Sequence, residues 1–230
     1  MHAVHGDAKS EIARGSLAER IKVHGTLLGF DLVGVSPVGN PVHGDSFASW
    51  LRQGYQGEMG YLVRAAKDRM DPGQVLPWAK SVISVALYYN TPRDRLPDLQ
   101  GIRGWISRYA WGDDYHEVMR ARLTSLLNSI RQEAGSEVGG KAFVDSARVM
   151  ERGTGVRAGI GWYGKNTNLL SAKIGSFFFL GELFLDLELE WDQPLQDGCG
   201  GCRLCLDACP TNAFVGPHML DARRCISYLT

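Results

Sequence analysis

Cys199-Gly-Gly-Cys202-Arg-Leu-Cys205-Leu-Asp-Ala-Cys209-Pro210 reads C-x2-C-x2-C-x3-C-P over residues 199–210. This is the spacing by which thiolates hold iron–sulfur cubanes. The first three cysteines wrap one cluster, and the fourth, set apart by the longer gap and the proline, ligates the other cluster of a pair. Structural zinc sites use separated C-x2-C knuckles or Cys/His pairs, a different rhythm. The chain has five cysteines, all at or beyond residue 199, which does not suit a secreted disulfide framework. The fifth, Cys225 in Arg223-Arg224-Cys225-Ile226, reads either as a further ligand or as a buried thiol. Two four-thiolate clusters need twice four ligands. Five are present, so the expectation is a fragment of something longer.

Upstream, 230 residues with 44% hydrophobic and 22% charged content are ordinary for a globular chain and exclude a disordered or fibrous one. Lys plus Arg equals Asp plus Glu at 25 each, so no global field advertises a nucleic acid or a basic partner. The polar start, MHAVHGDAKSEIARGS, carries no apolar signal segment. The most apolar run, FFFLGELFLDLEL, is broken by Glu182, Asp186 and Glu188 and cannot span a bilayer. A cytoplasmic protein with reduced thiols and no membrane partner is expected.

Periodicity before the cysteines predicts a mixed α/β (α+β) domain over 1–192, with a small iron–sulfur module over 193–230. Ser16 and Glu19 form an S-x-x-E capping box opening a helix towards Leu28. DLVGVSPV (31–38), SVISVALYYN (81–90) and KAFVDSA (141–147) read as strands. Asp114 with Glu117 reads as a second capping box. Behind it Met119, Leu123, Leu126, Leu127 and Ile130 trace one helix face. In 176–190 the leucines at 183, 185, 187 and 189 alternate with acids, which predicts a half-exposed strand. WDQPLQDG (191–198) reads as a linker.

Two phosphate motifs fail on context. Gly153–Ala158 satisfies G-x-G-x-x-A but follows a charged MER rather than a strand. Gly159–Lys165 gives G-x-x-x-x-G-K, yet Asn166 stands where a P-loop needs Ser or Thr for magnesium. What remains is a glycine-dense loop carrying Lys165, Asn166 and Asn168, suited to a large flat ligand that needs close backbone approach. Asp145 reads either as a turn or N-cap residue or as a partly buried acid able to donate a proton. Ser107 to His116 mixes aromatic, cationic and hydroxyl groups before a helix, and serves either packing or binding.

Four segments together resemble the epoxyqueuosine reductase family: ISRYAWGDDYH (106–116), FVDSARVMERGTGVRAGIGWYGKNTNLL (143–170), CGGCRLCLDACPTNAF (199–214) and LDARRCISYLT (220–230). The resemblance implies a catalytic domain of nitroreductase-like fold carrying cobalamin, followed by a partial ferredoxin-like 4Fe-4S module. It implies an oxidoreductase reducing epoxyqueuosine to queuosine at the wobble position of tRNA, with Asp145 as proton donor. Arg69, Ser107 and Asn168 match positions lining the cobalamin pocket. Cys199, Cys202 and Cys205 match ligands of the first cluster, and Cys209 and Cys225 ligands of the second. The family's later C-x2-C-x3-C-P stretch and its C-terminal helical-repeat domain have no match in this sequence. A flavodoxin- or ferredoxin-type electron donor and a monomer are expected. The other readings are a cobalamin and iron–sulfur reductase of a small molecule, as in dehalogenases, and a non-catalytic electron carrier.

Overall fold

The Glu19 N–H donates to the Ser16 hydroxyl (3.4 Å) and the Ser16 N–H to the Glu19 carboxylate (2.8 Å), so the expected capping box opens helix α1 (Leu17–Leu27). The computed structural model describes residues 15–91, 104, 106–145 and 148–229; the polar start over 1–14 lies outside them. Strand β1 (Leu32–Pro37) follows, then helix α2 (Gly44–Arg52) and short helical turns at Gly60–Arg64, Ala66–Met70 and Pro72–Val75. Pro72 begins the last of these turns, where its missing N–H costs nothing. Strand β2 (Ser81–Tyr88), helix α3 (Tyr115–Ala134), strand β3 (Gly140–Phe143) and helix α4 (Glu151–Arg157) come next. A small hairpin, β4 (Trp162–Tyr163) with β5 (Leu169–Leu170), precedes the long strand β6 (Phe178–Leu185).

The main sheet runs β1-β2-β6-β3, antiparallel at every pairing, which places the fold in the α+β class. On one face α1 and α3 bury Ile21, Met119, Leu123 and Leu126 against Val35, Ile83, Leu183 and Leu185. The opposite face, with Val82, Ala86 and Phe184, lies under α4 and its flanking segments. Gly34 makes that second contact possible, because a Cβ there would stand 1.9 Å from the Ala158 carbonyl oxygen.

Three expectations are corrected. The strand over 176–190 ends at Leu185, and residues 181–185 are buried on both faces. It is a central strand covered by helices on each side, so alternation does not apply to it. The strand over 141–147 is shorter, ending at Phe143, with 146–147 outside the described residues. Asp114 does cap α3, but it accepts the His116 N–H (2.9 Å), whereas the Glu117 carboxylate pairs with Arg120 (3.1 Å) instead of closing a box.

Beyond β6, Asp192 is anchored to β1 through both N–H···O bonds with Val35 (2.8 and 2.9 Å). The cysteine segment then folds back, with a two-stranded ribbon, β7 (Phe214–Gly216) and β8 (Met219–Leu220), and a turn at Ala222–Arg224. It docks through Trp50 Nε1 donating to the Leu220 carbonyl (2.5 Å) and the Ala222 N–H donating to the Tyr55 carbonyl (2.9 Å).

Candidate active site and cluster-binding segment

Asp145 follows β3 in a turn with φ of 54°, a left-handed conformation that Asp tolerates better than most residues. Its N–H donates to Glu151 Oε1 (2.7 Å) in the first turn of α4. Its carboxylate accepts from the Tyr115 hydroxyl and lies 3.7 Å from His116 Nε2. With half of the side chain exposed, the carboxyl is more open than the partial burial expected from sequence. Tyr115 cannot swing freely, because its ring stacks on Phe179 at 3.9 Å and on His116 at 4.1 Å. Burial first, and the Asp145 contact second, push the Tyr115 hydroxyl well above its usual range, so it stays a neutral donor.

Two cavities meet at this turn. The larger, about 520 Å³, is walled by Phe47, Trp50, Tyr61, Leu62, Arg69 and Tyr163 among others. The smaller, about 230 Å³, is walled by Tyr89, Tyr115, Asn168, Phe178 and Phe179. Asp145, Glu151 and Arg152 line both. Behind them stands Glu182, fully buried in the central strand. Burial and the Asp145 carboxylate push Glu151 up to about 8. Burial, then Glu151 and Asp145, raise Glu182 well above the carboxylate range.

The structure brings Arg69, Asp145 and Asn168 to the cavities. Arg69 donates to the Val149 carbonyl (3.0 Å), and its Nε is buried without a hydrogen-bond partner. Asn166 accepts the Asn168 N–H (3.2 Å) within the glycine loop. Lys165 reaches away from both cavities, donating to the carbonyls of Gly200 (2.5 Å) and Cys202 (2.8 Å). Ser107 sits at the start of the helical turn Arg108–Ala110, also apart from both cavities. An aromatic, partly apolar cleft whose wall holds an orphaned guanidinium nitrogen fits a large corrinoid, whose rim amides accept hydrogen bonds.

Sulfur-directed donors mark the cysteine segment. Trp162 Nε1 lies 3.4 Å from Cys199 Sγ, and the Ala213 N–H donates to Cys209 Sγ (3.3 Å). The Ala213 N–H, with Thr211, lowers the Cys209 thiol below its ordinary range. N–H···S bonds of this kind stabilise cluster thiolates and tune their potential, so the donor set fits iron–sulfur ligation. Among the described residues no three His, Cys, Asp or Glu side chains are placed to hold one metal ion. A cubane makes a different demand, since each thiolate binds a different iron.

Sequence reasoning singled out Tyr115 only within the Ser107–His116 segment, and it missed Glu151, Glu182 and the ring cluster of His43, Tyr163 and His218 (centroids 4.6 to 6.3 Å apart) in the larger cavity. Only Glu182 left a signal, an acid inside an apolar run.

Residues 69–146 match the epoxyqueuosine reductase QueG, DUF1730 family, and residues 198–230 match the 4Fe-4S double cluster binding domain. The chain is 46% identical over 217 residues to an epoxyqueuosine reductase of Pseudomonas aeruginosa, covering 93% of this chain and 60% of that protein. It is 44% identical over 216 residues to one from Leadbetterella byssophila, covering 93% and 69%. A crystal structure of an epoxyqueuosine reductase with an epoxyqueuosine-modified tRNA-Tyr stem loop is similar at a TM-score of 0.83 and 32% identity, covering 93% of this chain and 56% of that one. The chain therefore spans little more than half the length of several of the proteins it matches.

Proposed function

Because the chain belongs to the epoxyqueuosine reductase family, we propose that it reduces epoxyqueuosine to queuosine at the wobble position of tRNA, with Asp145 as proton donor. The observation that carries this reading is Asp145, on the wall shared by two cavities and hydrogen-bonded to Tyr115 of the smaller one. Epoxide deoxygenation consumes two electrons and two protons, and no side chain supplies the electrons. A cobalamin held by Arg69 and Asn168 in the cleft would supply those electrons, with 4Fe-4S clusters as their source. The chain's own residues handle the proton. The stacked Tyr115 donates to one Asp145 oxygen and fixes the carboxyl, which in its acid form protonates the departing oxygen.

Arg69, Asp145 and Asn168, on the cavity walls, form the proposed cofactor-binding set together with Asn166, which holds the Asn168 N–H, whereas Ser107, apart from both cavities, falls outside it. Lys165 belongs to it by tying the glycine loop to the cysteine loop. Cys199, Cys202 and Cys205 hold the first cluster, and Cys209 and Cys225 contribute to the second. Residues 1–192 form the catalytic domain and 193–230 the ferredoxin-like module. The protein works in the cytoplasm as a monomer, receiving electrons from a flavodoxin- or ferredoxin-type donor. Among the described residues no helix is long and apolar enough to cross a membrane.

Anaerobic titration of the cluster-loaded chain with cob(II)alamin, followed by EPR, tests the cofactor assignment. The expected result is a saturable signal altered from that of the free cofactor. An unaltered free-cofactor signal from a folded chain would favour the electron-carrier reading.

A further inference from the structure

Cys199 receives a hydrogen bond from outside its own segment. Trp162 Nε1 donates to Cys199 Sγ at 3.4 Å across 37 positions of sequence, whereas the Ala213 N–H that donates to Cys209 Sγ (3.3 Å) belongs to the cysteine segment itself. Strand β4 fixes where the indole points. Its two residues pair with Leu170 and Leu169 of β5, and successive side chains of a strand leave on opposite faces. Trp162 therefore meets the cysteine loop while Tyr163 walls the larger cavity. The indole lies close against Gly198, where a Cβ would stand 2.7 Å from its Cζ2. The loop is also held from its own side, because the Cys199 N–H donates to Asp197 (2.9 Å) and the Cys202 N–H to the Cys199 carbonyl (2.9 Å). Donor and sulfur are both partly buried, where a hydrogen bond is electrostatically stronger than in water.

We propose that Trp162 is a positioning residue that sets the reduction potential of the cluster held at Cys199, through a hydrogen bond that exists only while the cysteine segment is docked on β4. This role rests on the iron–sulfur reading of Cys199 above and not on the tRNA substrate. In the step concerned, an oxidised 4Fe-4S cluster takes one electron from the flavodoxin- or ferredoxin-type donor. No bond forms or breaks and no proton moves. The added negative charge spreads over the cluster and its thiolates, so the N–H···S bond strengthens on reduction. Trp162 thus favours the reduced form and raises the potential. The Cys209 donor, lying four residues from its sulfur, carries no such dependence on docking.

The test compares the cluster-loaded wild type with Trp162→Phe, which keeps a ring beside Gly198 but has no N–H. In chains carrying tryptophan labelled with nitrogen-15 in the indole, pulsed EPR of the dithionite-reduced wild type should show a nitrogen-15 coupling to the cluster that Trp162→Phe lacks. Redox titration followed by EPR should place the variant's cluster at a more negative potential. At the wild-type midpoint its ratio of reduced to oxidised cluster should be lower by about threefold or more. A packing role alone would move neither reading. Gly198→Ala, which displaces the indole without removing it, should shift the potential in the same direction, and it decides the matter if Trp162→Phe fails to take up a cluster. No coupling in the wild type, or an unchanged potential in the variants that load fully, would overturn the proposal and leave the cluster assignment standing. A folded wild-type chain that takes up no iron or sulfide would reject that assignment, and the role of Trp162 with it.

Discussion

At the residue scale the site is a problem of carboxyl placement. The wild type pairs an exposed acid with two desolvated ones, and the consequence for stability has a definite sign. Folded Glu151 keeps its proton up to about 8, whereas an unfolded glutamate releases it near 4.5. Between those values the folded state binds more protons, so stability falls as pH rises. Glu182→Gln removes a buried acid from this coupled pair. It should raise stability on the alkaline side by about 1–3 kcal/mol, with the gain shrinking towards pH 4.5. Chemical denaturation across pH checks this, and a pH-independent difference would contradict it. Asp145 was legible in the sequence as an acid at a strand end. Tyr115 was legible only as part of a segment open to packing or binding, because nothing local brings Phe179 and Asp145 to either side of it.

At the scale of elements, the helix and strand faces were readable where one side meets solvent. The Met119–Ile130 face of α3 is buried as its spacing predicts. Strand β6 misled because its partner strands and both helical layers lie far away in sequence. A central strand buries both sides, so its acid reads as a solvent-facing residue. The packing of α4 on the sheet depends on Gly34 in the same way, through a contact with Ala158 that no local pattern announces. Gly34→Ala should push α4 off β1 at a cost of about 1–3 kcal/mol or more. Thermal unfolding would measure it, and an unchanged melting temperature would show that α4 does not rest on that strand. Because α4 carries Glu151, the same variant should also disturb the Asp145 turn.

At the scale of the whole molecule, the main-sheet and cysteine-bearing parts are stitched together rather than merely tethered. Lys165 holds two carbonyls of the cysteine loop, Trp162 donates to Cys199, and Trp50 and Tyr55 clasp the ribbon that follows. The cysteine spacing made the iron–sulfur chemistry plain from sequence, but this docking was invisible there, since it joins residues as many as 170 positions apart. Lys165→Met should lower iron and acid-labile sulfide per chain after anaerobic reconstitution while the main fold stays intact. Full cluster content in that variant would confine Lys165 to the glycine loop.

The central claim, that Asp145 delivers the proton in epoxide reduction, is met most directly by one comparison. Wild type and Asp145→Ala, both loaded with clusters and cobalamin and chemically reduced under anaerobic conditions, are incubated with an RNA stem loop bearing epoxyqueuosine, and the nucleosides are read by mass spectrometry. The account predicts queuosine from the wild type and a loss of about 10²-fold or more in the variant, with the corrinoid EPR signal of both proteins the same. Equal conversion by the two would contradict it.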